Sequence, residues 1–185
     1  YRDMVEMDRM PSSLSNHIGV IVAGTGLAAT AIYGDDPSNP ALEPYLSGIL
    51  TKMKTFIDRT YRPEGSYGEP YTYQAMASRD LTETLATIER NFGVDYTTTT
   101  NIRDLWVYPI YATHASGRYP DFGDVSPTYS MVQTHFLWLV KRMGNPWTYA
   151  YAKPYFESGR GGWLGYLWYV DGLEPRYRTE LPTSK

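Results

Sequence analysis

The order of apolar and polar positions along the chain predicts helices. Residues 12–33 are almost all apolar or small, Gly34 follows as a helix terminator, and Ser12, Ser13 or Ser15 can serve as the N-cap. We expect this helix to be buried. Three glycines lower its helix propensity, which close packing of a neighbour usually offsets. They are Gly19, Gly24 and Gly26.

Further segments have apolar residues at steps of three and four, the spacing of an amphipathic helix. Gly93 is a natural end for one of them, and Pro109 interrupts another. Only the short run 97–100 is rich in β-prone residues. The fold class is therefore all-α. The predicted helices cover 42–57, 71–92, 101–115, 128–143, 146–156 and 162–170.

Antiparallel helices of this length, joined by loops that alternate between short and long, are typical of stacked helical hairpins. The prediction is one domain over residues 1–185, built as an α/α toroid or solenoid. The absence of a sequence repeat argues against a TPR or ankyrin array. The polar segment 172–185 contains two prolines and is predicted to be a linker.

Composition excludes several classes of function. Apolar residues make up 42% of the chain and charged residues 20%, and no apolar run is as long as a membrane span, so we expect a soluble globular protein. The formal charge of −3 argues against duplex nucleic acid as a partner. With no Cys and three scattered His, we expect no metal site and no cofactor within this chain, and no membrane partner.

The aromatic residues are informative because most of them carry a polar edge. There are 18 Tyr and 5 Trp against 5 Phe, which is more than a core needs. Such rings suit sugar binding and packed helix interfaces equally well. Twelve of the 17 basic residues are Arg, which favours recognition of carboxylates or phosphates.

Two segments concentrate groups that could carry chemistry. Asn16 and His17 stand where the first helix begins, so an amide and a titratable imidazole could address one ligand. A histidine bonded to a backbone carbonyl is the alternative. The loop 63–74 places three Tyr and two Glu at the N-terminus of the predicted helix 71–92. The partial positive charge of a helix N-terminus favours anions. Simple packing of these tyrosines is the alternative there.

Together these segments resemble the catalytic toroid of the heparinase II/III-like polysaccharide lyases, which include the oligoalginate lyases. The resemblance extends over nearly the whole chain, including an end that looks like the exit into the β-sheet domain of that family. The motifs that carry it are Ser15-Asn16-His17, Tyr33-Gly34-Asp35-Asp36-Pro37, Gly65-Ser66-Tyr67, Glu69-Pro70-Tyr71-Thr72-Tyr73, Asp121-Phe122-Gly123-Asp124, Leu167-Trp168-Tyr169 and Leu181-Pro182-Thr183-Ser184.

The resemblance implies β-elimination at a uronate, in which the C5 proton is removed, the C4–O bond breaks and an unsaturated sugar forms. Asn16 and His17 match the pair that neutralises the substrate carboxylate, and His17 is also a candidate base. Tyr73 matches the catalytic tyrosine, which takes the C5 proton or protonates the leaving oxygen. Tyr71 is the alternative if the alignment shifts by two residues.

The same resemblance implies partners beyond this chain. An acidic polysaccharide or oligosaccharide is the expected substrate, contacted by Glu69 and Tyr71. His114 and Arg118 flank the long loop, from which they could reach an acidic sugar, and a solvated loop is the alternative for them. A periplasmic or extracellular location is expected. The family draws further His and Tyr residues from the β-sheet domain, to which 172–185 would lead. The metal site of the family, where present, also belongs there. A complete toroid of that family has more helical hairpins than this chain, so the resemblance implies that residues 1–185 form the later part of an incomplete α/α toroid and that this chain alone is an incomplete enzyme.

Two other functions remain open. A glycoside hydrolase on the same kind of toroid needs only a pair of carboxylates, and the chain offers Asp121, Asp124, Glu64 and Glu69. A non-catalytic carbohydrate-binding fragment would use its Tyr and Trp to line a groove. His135 lies beside Phe136 in an apolar segment and is predicted to be a core histidine.

Overall fold

The computed structural model describes residues 15–113, 118–119, 123 and 134–180. Within these ranges it has seven α-helices, two short 3-10 helices and no strand, so the all-α fold class is confirmed. The 3-10 helices are Asn101–Asp104 and Arg178–Glu180. Helices α1 to α7 are Asn16–Asp35, Glu43–Thr60, Tyr71–Phe92, Val107–Ala112, Thr134–Met143, Pro146–Glu157 and Gly162–Leu167.

The ends of the long helices follow local signals. Ser15 is the N-cap of α1, and its Oγ accepts a hydrogen bond from the His17 backbone N–H at 3.2 Å. The predicted end at Gly34 is wrong, because α1 continues to Asp35 and ends just before Pro37, which cannot extend a helix. Helix α3 has the predicted bounds and ends at Gly93, whose φ of +68° suits glycine.

The segment 101–115 differs from its prediction. It forms a 3-10 turn and the short helix α4, and the break falls at residues 105–106 rather than at Pro109. Pro109 lies in the first turn of α4, where its missing N–H would have no helical partner anyway. Residues 97–99 form a turn, and Asp95 accepts the Thr97 N–H at 2.8 Å. Helix α7 ends at Leu167, before the predicted position 170.

Helices α1 and α3 lie side by side and run in the same direction. Gly19 of α1 faces Ala77 of α3, and one to two turns further on Gly26 faces Thr84. The contacts therefore advance together along both helices. The Thr84 hydroxyl donates to the Ala23 carbonyl oxygen at 2.9 Å in the buried interface, which fixes the register of the pair.

Helix α2 packs on another side of α1 in the opposite direction. Gly19, near the start of α1, faces Phe56 near the end of α2. Gly26, further along α1, faces Met53 and Ile49 instead. Helix α2 is thus the returning partner of α1, as expected for a helical hairpin.

Helix α5 continues the series on the far side of α3. Thr134 lies near Glu83, with an Oγ1 to Oε1 distance of 3.4 Å, and Arg142 reaches Glu89 at 3.1 Å, so α5 runs parallel to α3. Helix α6 follows after two residues and packs along α5. Beyond its end, Gly161 lies against Leu137 near the middle of α5, so α6 runs back along α5.

The described part of the tail lies against α6. The Arg176 backbone N–H donates to the Pro146 carbonyl oxygen at 3.1 Å, and its guanidinium stands 5.3 Å from the ring centroid of Trp147. Leu173 packs against the main apolar core. Residues 172–180 therefore have contacts of their own with the helical domain.

Helix α1 is only partly buried, so the expectation of a buried helix is wrong. In the most apolar 18-residue window of α1, 33% is buried, and Ile32 is 49% exposed. The reason is that α2 and α3 cover two sides, while no described element covers the third. By length and composition alone α1 is apolar enough to cross a membrane, a test that core helices of soluble proteins also pass.

Glycine permits the close approach of α1 to its neighbours at two of the three predicted positions. A Cβ on Gly26 would lie 2.7 Å from Thr84 Cγ2, and one on Gly19 would lie 2.9 Å from Phe56 Cζ. Both distances are too short for real side chains. Gly24 has no such neighbour within 4 Å, so its substitution meets open space.

This difference gives a matched test of the α1 packing. Gly24→Ala and Gly26→Ala remove the same helix-propensity penalty, about 1 kcal/mol, but only the second adds a clash, which typically destabilises by about 1–3 kcal/mol. In denaturant titrations we expect Gly24→Ala to raise the free energy of unfolding. The free energy of unfolding of Gly26→Ala is expected to be about 1–3 kcal/mol below that of Gly24→Ala. Equal values for the two variants would contradict the described interface.

Candidate functional site

The N-terminal ends of α1 and α3 meet at one end of the domain. The backbone N–H of Asn16 donates to Oε2 of Glu69 at 2.5 Å, across 53 positions of sequence. A carboxylate at a helix N-terminus satisfies a free N–H and interacts favourably with the helix dipole, so Glu69 caps α1. The two segments that sequence analysis singled out are therefore in direct contact.

Asn16 and His17 differ in their surroundings, although they are adjacent. Asn16 is only 3% exposed, and its Nδ2 has no hydrogen-bond partner among the described residues. A buried polar group without a partner costs about 1–3 kcal/mol, so this amide is a candidate ligand contact. The side chain of His17 is exposed, since successive helical residues project about 100° apart. The two side chains therefore leave the helix in different directions.

Tyr71 is held inside a cluster of aromatic rings. It is 1% exposed, stacks on Tyr108 with centroids 5.1 Å apart, and packs on Tyr119 at 5.2 Å. Burial, followed by the hydrogen bond and charge interaction with Tyr108, raises the pKa of Tyr71 well above its ordinary value. This hydroxyl therefore keeps its proton, and its ring acts mainly in packing.

Tyr73 lies in the first turn of α3 and is half-buried, which makes it more accessible than Tyr71. Its backbone N–H donates to the Pro70 carbonyl oxygen at 3.0 Å. The next residue, Gln74, is buried and donates through Nε2 to the Gly65 carbonyl oxygen at 2.9 Å, so the loop before α3 is anchored to the helix. Tyr73 and Asn16 are therefore at the same end of the domain.

Tyr67 was not assigned a role from the sequence, yet the structure places it at this site. It is 8% exposed, and its hydroxyl has no hydrogen-bond partner among the described residues. Burial, followed by the nearby Tyr61 and Glu69, raises the pKa of Tyr67 far above its ordinary value. Its position in the loop 63–74 was visible in the sequence, but nothing there indicates that Tyr67 and Tyr71 are buried while Tyr73 is only half-buried.

The long loop contributes contacts where it is described. Arg118 is exposed, and the adjacent Tyr119 covers the Tyr71 ring. Gly123 lies against Pro70, so this part of the loop approaches the start of α3. Three further predicted residues, His114, Asp121 and Asp124, lie outside the described residues.

The third histidine, His135, lies in the core and not at this site. His135 is fully buried beside Phe136, with ring centroids 4.9 Å apart, so the prediction of a core histidine is confirmed. Burial, reinforced by the charge of Arg79, lowers the pKa of His135 to about 3. In the described ranges, no group of three or more His, Asp or Glu side chains could hold a metal ion.

Comparison with known proteins adds no relative. No protein-family model matches the chain, and neither the curated proteins nor the solved structures contain a match. The resemblance to the polysaccharide lyases therefore depends on the motifs quoted above.

The cap formed by Glu69 predicts a measurable contribution to stability. Glu69→Ala removes the acceptor of the Asn16 N–H, and loss of such a cap typically costs about 0.5–2 kcal/mol. Glu64→Ala is the matched control, because Glu64 lies in the same loop, is exposed and accepts a hydrogen bond from the Ser66 hydroxyl two residues away, and a substitution at such an exposed position is expected to change stability by no more than about 0.5 kcal/mol. If both variants unfold at the same denaturant concentration, Glu69 is not a cap.

Proposed function

We propose that this chain is the helical part of a polysaccharide lyase that cleaves a uronate-containing glycan by β-elimination. The contact between Asn16 and Glu69 carries the proposal, because it joins the segment that contains Asn16 and His17 to the loop that precedes Tyr73. These are the segments in which the resemblance to the lyases is strongest. The accessible Tyr73 and exposed His17 are then available at one end of two parallel helices.

The chemistry explains why these residue types are needed. A proton next to a carboxylate is a very weak acid, so the site must stabilise the negative charge that develops on that carboxylate. The Asn16 Nδ2 group, a buried donor without a partner among the described residues, is the proposed donor to that carboxylate, whereas the exposed His17 leaves α1 in a different direction and is kept as a candidate base. Since Glu69 takes the backbone N–H of Asn16, the substrate carboxylate binds to side chains rather than to the helix end.

Tyr73 is the proposed proton-transfer group. The C5–H bond breaks, its electron pair forms the C4–C5 double bond, and the C4–O bond breaks with its electrons going to the leaving oxygen, which is protonated. A tyrosine can take the first proton or donate the second. Tyr71 suits neither step, because it is buried among aromatic rings, away from any substrate. We assign Tyr71 to packing beneath the site.

The order of the helices supports the finer fold proposal, an arc of an α/α toroid. Helices α1, α3 and α5 run in one direction, while α2 and α6 return, as stacked hairpins require. The resemblance is the ground for proposing further toroid helices, a β-sheet domain and a periplasmic or extracellular location. The acidic glycan is proposed on the same ground.

The test is Tyr73→Phe in the full-length protein, screened against a panel of acidic glycans. Elimination creates a conjugated double bond that absorbs in the ultraviolet, so turnover can be followed directly. We expect kcat to fall about a hundredfold or more without a change in melting temperature, since only the hydroxyl is lost. Tyr71→Phe is the control and is expected to keep kcat within a few fold.

Each other outcome has a definite meaning. Normal kcat in Tyr73→Phe together with a large loss in Tyr71→Phe would place the catalytic tyrosine two residues earlier. New reducing ends without ultraviolet absorption would identify a glycoside hydrolase instead. Binding of glycans without any turnover would identify a carbohydrate-binding protein.

A further inference from the structure

A second concave region lies away from the Asn16 site, between α3, α5 and α7 and bordered by α1. Its volume is about 850 Å³, within the usual range of about 300–1,000 Å³ for small-ligand sites. We call it the tryptophan cleft. The lining residues that matter for its chemistry are Glu83, Arg90, Trp138, Lys141, Trp163 and Trp168.

Three of the five tryptophans of the chain line this cleft. Trp138 and Trp168 are 4% and 5% exposed and form its wall, whereas Trp163 is 72% exposed at the rim. The chain holds Trp163 there because α7 approaches α5 closely, with Gly161 positioned so that an added Cβ would be 2.8 Å from Leu137 Cδ1. An indole face left open beside a preformed wall suits stacking with the C–H face of a sugar ring.

Two cations beside these rings have no carboxylate partner among the residues that the structure describes. Arg142 is paired with Asp95 and with Glu89, the latter at 3.1 Å. Arg90 and Lys141 are exposed, and the described residues provide neither of them with an ion pair. Two unpaired cations next to an open aromatic face attract an anion that is attached to an apolar ring surface.

We propose that the tryptophan cleft binds a uronate residue of an acidic glycan, with its ring on Trp163 and its carboxylate at Arg90 and Lys141. The choice of uronate as the ligand rests on the proposed function. The geometry of the cleft independently suits an anion attached to an apolar ring surface. Leu27, which borders the cleft, is about 16 Å along α1 from Asn16 at 1.5 Å per residue. The cleft is therefore a separate subsite, at a distance that one oligosaccharide chain can span.

The test measures binding to the full-length protein by calorimetry. The probes are a uronate oligosaccharide and its carboxyl-reduced, neutral counterpart of the same linkage and length. We expect Trp163→Ala to weaken binding of the uronate oligosaccharide at least tenfold. Tyr166→Ala is the matched control, because Tyr166 is 89% exposed on the same helix but does not line the cleft, and it should bind normally.

The charge requirement is tested separately. The double variant Arg90→Gln, Lys141→Gln should lose at least tenfold in affinity for the uronate oligosaccharide and bind the neutral one as the unmodified protein does. All substituted side chains are at the surface, so melting temperatures should stay within a few degrees. Equal affinity of Trp163→Ala and Tyr166→Ala, no preference for the acidic probe, or no binding of either probe would overturn the proposal.

The cleft and the lyase activity can fail independently. If binding depends on Trp163 but no unsaturated product forms, the proposed binding site in the cleft is supported and the proposed lyase activity is rejected. If unsaturated product forms but the affinity is unchanged in Trp163→Ala, the proposed lyase activity is supported and the proposed binding site in the cleft is rejected.

Discussion

The close approach of α1 and α3 determines where every other feature of this protein lies. Gly19 and Gly26 present no side chain to Ala77 and Thr84, so the two backbones come together, and the Thr84 hydroxyl fixes their register. Because the helices are parallel, both N-termini are at one end of the domain. The contact between Asn16 and Glu69 is a direct consequence of that direction.

The same arrangement separates two environments along one pair of helices. The N-terminal end combines a buried amide, an exposed imidazole and several tyrosines, which suits proton transfer beside a carboxylate. Towards the C-terminal ends, α5 and α7 add the tryptophans and the unpaired cations, which suit binding without chemistry. A glycan that extends along α1 would then be held in the cleft and cleaved near Asn16.

How well the sequence predicted each part depended on the range of the interactions involved. Helix α3 was predicted with its correct bounds, because its apolar stripe and the terminating Gly93 are local signals. The partial exposure of α1 was not predicted, since it depends on which neighbours pack against a helix that is apolar all round. The exposure of His17 next to the buried Asn16 follows from the 100° step between successive helical residues, but only once the neighbours of α1 show which of its sides is buried.

The tryptophan cleft could not be predicted, because its residues come from four helices and share no spacing in sequence. Trp138 and Trp163 belong to segments whose packing partners are set only by the tertiary fold. The segments proposed to carry the catalytic residues differ in this respect, because their short motifs resemble a known family and Asn16, His17 and Tyr73 are assigned from that resemblance.

The central claim is that the meeting point of α1 and α3 binds the carboxylate of a uronate. Nuclear magnetic resonance of the full-length protein, labelled with nitrogen-15 at asparagine, tests it directly during titration with a uronate oligosaccharide. We predict that the side-chain amide signal of Asn16 shifts with the acidic probe and is unchanged by its carboxyl-reduced counterpart. Saturating binding of the acidic probe with no change at Asn16 would contradict the account.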